Sequence, residues 1–393
     1  MKTNFMTPFS QPREAGSAAR RSRSRNGARV CDPQRLPISA RLRNFPTPLG
    51  VWNRCGSQSR APISSQAAST LGNFRSEKRG VSLSSLRCFA ISAPLRFLLT
   101  VLLCGATAHA KLNLVVTTPD LATIAKEVGG DQVEITTLAR PTEDPHFVDA
   151  KPSFIVKLNK ADALIEGGAE LEIGWLPPLL NGARNAKIQP GQPGRILCSE
   201  GIAMREVPTA LDRSKGDLHA AGNPHFMVDP LNARIVAQHL ADAFGKLDAK
   251  SAEKFRANFD KFAGALDAKM VEWEKTMAPL KGREVVAYHN SWLYFAERFG
   301  LKIEFFLEPK PGIPPSPAHL AEVMAKMKET NARVVIVDPY LNRQTAETAA
   351  RGTGATVLDV AQFPGGVKGT DGGYIALMDY LVNSLAKALG AAK

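Results

Sequence analysis

From Lys111 onward, short β-branched apolar runs alternate with segments of helical period. Residues 112–117, 132–138 and 161–167 read as strands, with helices expected over 121–128 and 152–160. The last third repeats the theme, with strands predicted at 284–288, 301–306, 332–337 and 355–360. Helices are predicted there at 317–329, 345–351 and 374–389. Strands separated by helices predict an α/β fold of βαβ units with mainly parallel sheets. Between the two halves, residues 251–278 carry no proline, and Phe255, Phe259, Phe262, Leu266 and Met270 recur every three or four positions. That is one apolar stripe on a helix of roughly 42 Å, at 1.5 Å per residue. Asp229-Pro230 marks the start of the helix before it, Asp as N-cap and Pro at the first helical position. The pattern therefore predicts two parallel-sheet α/β lobes, 111–250 and 281–393, joined by a long rigid helix over 251–280. A cleft between such lobes is a natural ligand site.

Charge divides the chain differently. The 393 residues carry +13 and a pI near 9.6, which on its own invites a nucleic-acid partner. Through Ala110 there are 17 basic residues and three acidic ones, leaving 33 basic and 34 acidic residues in the rest. The part with a predicted core is close to neutral. Residues 1–85 are rich in Arg, Ser and Pro without an apolar period and are expected to form a disordered basic leader. Residues 86–110 have the form of an export signal: Arg87 and Arg96, the apolar run 97–103, then Ala108-His109-Ala110. Cleavage is expected after Ala110, placing the mature protein in the periplasm. The apolar run falls short of the about 20 residues that span a bilayer. Because the signal lies so far into the chain, translation is expected to begin near Val81 or Leu86, with the leader a start-site artefact. A basic nucleic-acid-binding arm is the competing reading of residues 1–85.

Cys31, Cys55, Cys88 and Cys104 precede the expected cleavage, so the mature chain keeps only Cys198 and forms no internal disulfide. Leu102-Leu103 before Cys104 is not the small residue that a lipoprotein signal places there. A soluble exported protein follows.

Three histidines stand in distinctive loops. His146 lies in Glu143-Asp144-Pro145-His146-Phe147, His225 in Asn223-Pro224-His225-Phe226 ahead of the capped helix, and His289 directly after a predicted strand. Asp359 ends another. In parallel α/β lobes the carboxyl ends of strands face the ligand crevice, so these distant residues can meet. Three imidazoles and one carboxylate suit tetrahedral zinc, while manganese is better served by more oxygen ligands. Taken singly, each histidine reads more readily as a surface or cap residue than as a ligand, and His239 and His319 keep that reading. Asp338, at the end of the 332–337 strand, competes with Asp359 for the fourth position. His219, close to His225, is a candidate for transient metal capture. Metal binding by neutral imidazoles is expected to weaken as pH falls through the histidine range.

Asp144-Pro145-His146 with Lys151-Pro152-Ser153, then Asn223-Pro224-His225-Phe226 with Asp229-Pro230, resemble the metal-binding receptors of zinc- and manganese-importing ABC transporters. Tyr288-His289, Pro314-Pro315-Ser316-Pro317 and Asp359 follow in that family's order. The resemblance covers 111–393. It implies metal held between the lobes by His146, His225, His289 and Asp359, with a membrane ABC permease as partner and a monomeric, non-enzymatic receptor. A histidine at 289, where manganese-preferring members often carry a carboxylate, leans toward zinc, with manganese the alternative. The absence of a long His-rich loop and Met227 after Pro-His-Phe depart from the usual pattern. The rival function is an exported zinc-dependent hydrolase, with Glu143 or Asp144 as base beside His146. The Pro-rich segment 308–315 reads as a stiff connector that would face the permease if it lies at the cleft rim.

Overall fold

A computed structural model describes residues 110–209 and 219–391. All of them belong to the contact unit Ala90–Lys393. The expected leader, the signal segment before Ala110, and Cys31, Cys55, Cys88 and Cys104 lie outside the described residues.

The first lobe is built on a four-stranded parallel sheet in the order β2-β1-β3-β4. Its strands are β1 (Leu112–Val116), β2 (Val133–Thr137), β3 (Ala163–Glu166) and β4 (Arg195–Leu197). β1 pairs Leu114 with Ile135 on one side and with Ala163 on the other. Helices α1 (Pro119–Gly129) and α2 (Pro152–Lys160) make the crossovers, each with proline in its first turn, where no intrahelical N–H partner is lost. The helix α3 (Leu176–Ala183) escaped the pattern because Pro177-Pro178 reads as a breaker; both fall in its first turn. β4, three residues long, is too short to show a period.

The second lobe carries a three-stranded parallel sheet, β5-β6-β7: Val286–Ala287, Val334–Val337 and Thr356–Asp359. The strand expected at 301–306 does not form. Glu284 bridges Lys302 while Ala287 bridges Phe306, so the pairing offset slips by one residue between the two bridges. A bulge of this kind interrupts the ladder and also shortens the strand predicted at 284–288.

The helices α4 (Pro230–Leu247) and α5 (Ala252–Met277) follow each other and pack together. Phe255, Phe259, Phe262, Leu266, Met270, Trp273 and Met277 of α5 are all buried in the main core. α5 is fastened at both ends. Asn258 donates to the Val128 carbonyl at 2.9 Å and Ser251 to Gln132 at 3.1 Å, both in the first lobe. At the other end Trp273 donates to Asp379 at 2.8 Å, on α9 (Tyr374–Ala391) of the second lobe. Between these come α6 (Leu293–Phe299), α7 (Pro317–Glu329) and α8 (Arg343–Thr353). Twenty-six residues at 1.5 Å give α5 a length of about 39 Å.

Asp229 ties the lobes at a second place. Its Oδ1 accepts from the Leu231 N–H at 3.0 Å, capping α4. Both its oxygens also meet Arg298 of α6 at 2.8 Å, a bidentate pair. Asp229→Ala removes the cap and leaves Arg298 without its carboxylate. Urea unfolding is expected to register a loss of about 2–4 kcal/mol.

Candidate metal centre

The loops after β2, after β4 and after β5 bring three imidazoles to one point. The site ring nitrogens of His146, His225 and His289 all lie within 4.8 Å of one another. The rings face each other edge-on, with centroids 5.1 Å apart for His146 and His225, 5.3 Å for His225 and His289, and 5.8 Å for His146 and His289.

Each loop is shaped by its own sequence. Asp144 accepts from the His146 N–H at 2.9 Å, and Trp175 donates to the Pro145 carbonyl at 2.9 Å, fixing the Asp-Pro-His turn. Asn223 accepts from the His225 N–H at 3.0 Å in the same manner. Below His225, Tyr374 of α9 donates to the Met227 carbonyl at 2.7 Å. His289 leaves the carboxyl end of β5, whose Ala287 pairs with Ile336 of β6.

Outside the ring cluster, hydrogen bonds set the tautomers. His225 Nδ1 lies 2.8 Å from Gln362 Oε1, and the Gln362 amide nitrogen faces Tyr340 and Asp338. The amide oxygen can then only accept, so Nδ1 carries the proton and the lone pair of Nε2 points inward. His289 Nδ1 lies 2.6 Å from Glu308, which assigns that ring in the same way. The His146 imidazole is held by the Leu171 backbone. His146 Nε2 and His225 Nε2 are 3.2 Å apart. The ligand–ligand edge of a tetrahedral zinc site with Zn–N bonds of 2.0–2.1 Å is about 3.3 Å.

Burial pushes the His146 pKa down from 6.5 to about 3, helped by the nearby His289 and His219 rings. Burial likewise holds His225 well below the ordinary range, followed by the fields of His146 and His289. Both rings are neutral, the form that coordinates a metal. At these two rings burial moves proton uptake below the usual histidine range through which binding is expected to fade.

Asp359 is not brought to the histidines. It is exposed at the end of β7, its Oδ1 3.4 Å from Arg343 on α8, with its carbonyl accepting from Tyr380. The chain runs three residues beyond β7 before Gln362 reaches His225, and Gln362 arrives as a partner of the ring, outside the nitrogen cluster. Asp359→Ala is expected to leave zinc affinity unchanged in a competition titration. Asp338 also stands outside the group. It is buried, accepts from Trp292 at 3.1 Å, and burial raises its pKa to about 7. His219 stacks on His146 with centroids 5.0 Å apart. His239 and His319 sit on α4 and α7, each near a glutamate. The sequence carries no signal for Gln362 and Glu308 as ring partners, since a second layer around a metal has no spacing pattern, and Glu308 stands out there only as part of the Pro-rich segment.

A cavity of about 330 Å³ opens onto the rings, lined by Glu206, His219, Asn223, His225, His289 and Glu308. Pro309, Lys310 and Pro311 form part of its wall, so the Pro-rich segment lies at the site.

Residues 114–388 match the family described as zinc-uptake complex component A, periplasmic. The chain is 27% identical over 290 residues to the iron-binding protein YfeA of Yersinia pestis, covering 71% of this chain and 87% of that one. It is 22% identical over 296 residues to the manganese ABC transporter substrate-binding lipoprotein PsaA of Streptococcus anginosus, covering 72% and 91%. A crystal structure of ZnuA superposes with a TM-score of 0.59 at 23% identity, covering 71% of this chain and 99% of that one.

Proposed function

This chain belongs to the zinc-uptake component A family, the substrate-binding proteins of metal ABC transporters, and from that premise we propose that His146, His225 and His289 hold the cargo metal. The observation that carries this is the 3.2 Å approach of His146 Nε2 and His225 Nε2. With Nδ1 of His225 committed to Gln362, its inward lone pair faces its neighbour, an arrangement that favours a cation between them.

Zinc is the favoured cargo, because three nitrogen donors suit it better than manganese, which prefers oxygen. The named cargoes of the relatives, iron for YfeA and manganese for PsaA, are the alternatives. His146 and His225 come from the first lobe and His289 from the second, so lobe movement would pull the ligand set apart and free the metal for the permease. The receptor acts outside the cytoplasmic membrane as a monomer without catalysis, cut after Ala110, its lobes spanning 111–250 and 281–393 around the 251–280 helix. Near-neutral net charge after Ala110 gives no electrostatic reason to expect a nucleic-acid partner. The exported-hydrolase alternative draws no support from the relatives. Mass spectrometry of the native mature protein tests the proposal. One zinc per chain is expected, and a chain isolated without any transition metal would contradict it.

A further inference from the structure

The His225 and His289 loops come from opposite lobes, and they are tied to each other beside the rings. Asn223, buried at 8% exposure, is the hub. Its Oδ1 shapes the His225 turn. Its Nδ2 crosses to the carbonyl of Asn290, the residue after His289, at 2.9 Å, and reaches Glu206 Oε2 at 3.1 Å. Glu206 Oε2 also accepts from Asn290 Nδ2 at 2.7 Å. The Asn223 carbonyl accepts from the Tyr294 hydroxyl at 2.8 Å, and the Asn223 N–H donates to the Arg205 carbonyl at 2.8 Å. All the polar groups of this buried side chain and its backbone are therefore engaged, several of them across the cleft.

Glu206 has φ +53°, in the left-handed region where a side chain with a Cβ is strained. Such strain of about 1–3 kcal/mol persists only where the surroundings over-determine it. Here two amide groups from opposite lobes converge on its carboxylate.

We propose that Asn223 and Glu206 form a latch across the cleft that fixes the spacing of His225 and His289 and must open before metal leaves. The latch rests on the three-histidine reading of the site. Both are positioning residues, since neither belongs to the nitrogen cluster. The latch grips the backbone beside His289, while Glu308 orients the ring itself, so breaking it alters the rate of release and leaves the coordination chemistry alone.

Asn223→Asp separates the two duties of this side chain. The new carboxylate still accepts from the His225 N–H, but it presents an acceptor to the Asn290 carbonyl and to Glu206. Zinc release into a chromophoric chelator, followed by stopped flow, is expected to speed up about 10–100-fold. The d–d spectrum of the cobalt-loaded variant is expected to match that of the unaltered protein. Adding Glu206→Gln to the same chain places a donor opposite the new carboxylate and is expected to bring the release rate back toward its original value. An unchanged rate in Asn223→Asp, a shifted cobalt spectrum, or no recovery in the double variant would overturn the latch. If Asn223→Asp does not fold, Asn290→Asp with Glu206→Gln as its rescue asks the same question at the 2.7 Å bond. Failure of the unaltered protein to bind zinc at equilibrium would instead count against the three-histidine site, so the two failures are distinct.

Discussion

Replacing His225 with alanine is expected to lower zinc affinity by more than about a hundredfold, exceeding the 10–100-fold typical of losing an outer partner of a ligand. His225 is the ring closest to both others, with centroids 5.1 and 5.3 Å away, and the most buried of the three. Its loss leaves His146 and His289 alone, one on each lobe, with no nitrogen between them. The Gln362 amide loses its partner as well, but that cost falls on stability and is seen in unfolding, separately from the titration. Circular dichroism of the variant controls for the fold. An affinity within tenfold of the original would remove His225 from the ligand set. Asp359→Ala is the paired control, because its carboxylate is committed to Arg343 at the surface.

Zinc binding is expected to survive mild acid. Three imidazoles with the ordinary pKa of 6.5 would each be about nine-tenths protonated at pH 5.5, and the competition would weaken binding by roughly a thousandfold. In this site burial keeps His146 neutral down to about pH 3 and holds His225 well below 6.5. Proton competition at these two therefore drops out, and affinity is expected to fall far less than a thousandfold between pH 7.5 and 5.5. Nuclear magnetic resonance of the metal-free protein gives the direct check. The His146 and His225 ring signals should stay at their neutral positions through pH 5; midpoints near 6.5 would contradict the burial argument.

Overall stability is a poorer readout of the same chemistry. A depressed histidine pKa means that the unfolded chain takes up protons first, so stability from His146 is complete above 6.5 and is lost toward about pH 3. Asp120, Glu172 and Asp338 act in the opposite sense, raised by burial to about 6, 7 and 7. Their folded forms bind protons first, so their contribution improves as pH falls from about 7 toward 4. The two groups oppose each other over most of the window, and the histidine resonances isolate one of them.

The elements were largely legible in the chain because their signals are local. The five-residue apolar stripe of α5 and the Asp229-Pro230 cap of α4 depend on side chains within a few positions, and both appear where the pattern places them. The missing 301–306 strand turned on a one-residue slip in pairing, which no pattern within that segment encodes. The site divides along the same line. Strand ends carry the histidine loops toward a common point, as parallel α/β topology requires. After β7 the strand end points to Asp359, while the residue that reaches His225, from outside the nitrogen cluster, is Gln362, three positions later. Where a chain turns after leaving a sheet depends on contacts with the opposite lobe, and periodicity carries no information about those.

On the reading proposed above, three imidazoles, two from one lobe and one from the other, hold the cargo. X-ray absorption of the zinc-loaded protein tests it most directly, because imidazole scattering counts the rings around the metal. Three imidazole nitrogens at about 2.0–2.1 Å are expected. A first shell with one imidazole or none would contradict it.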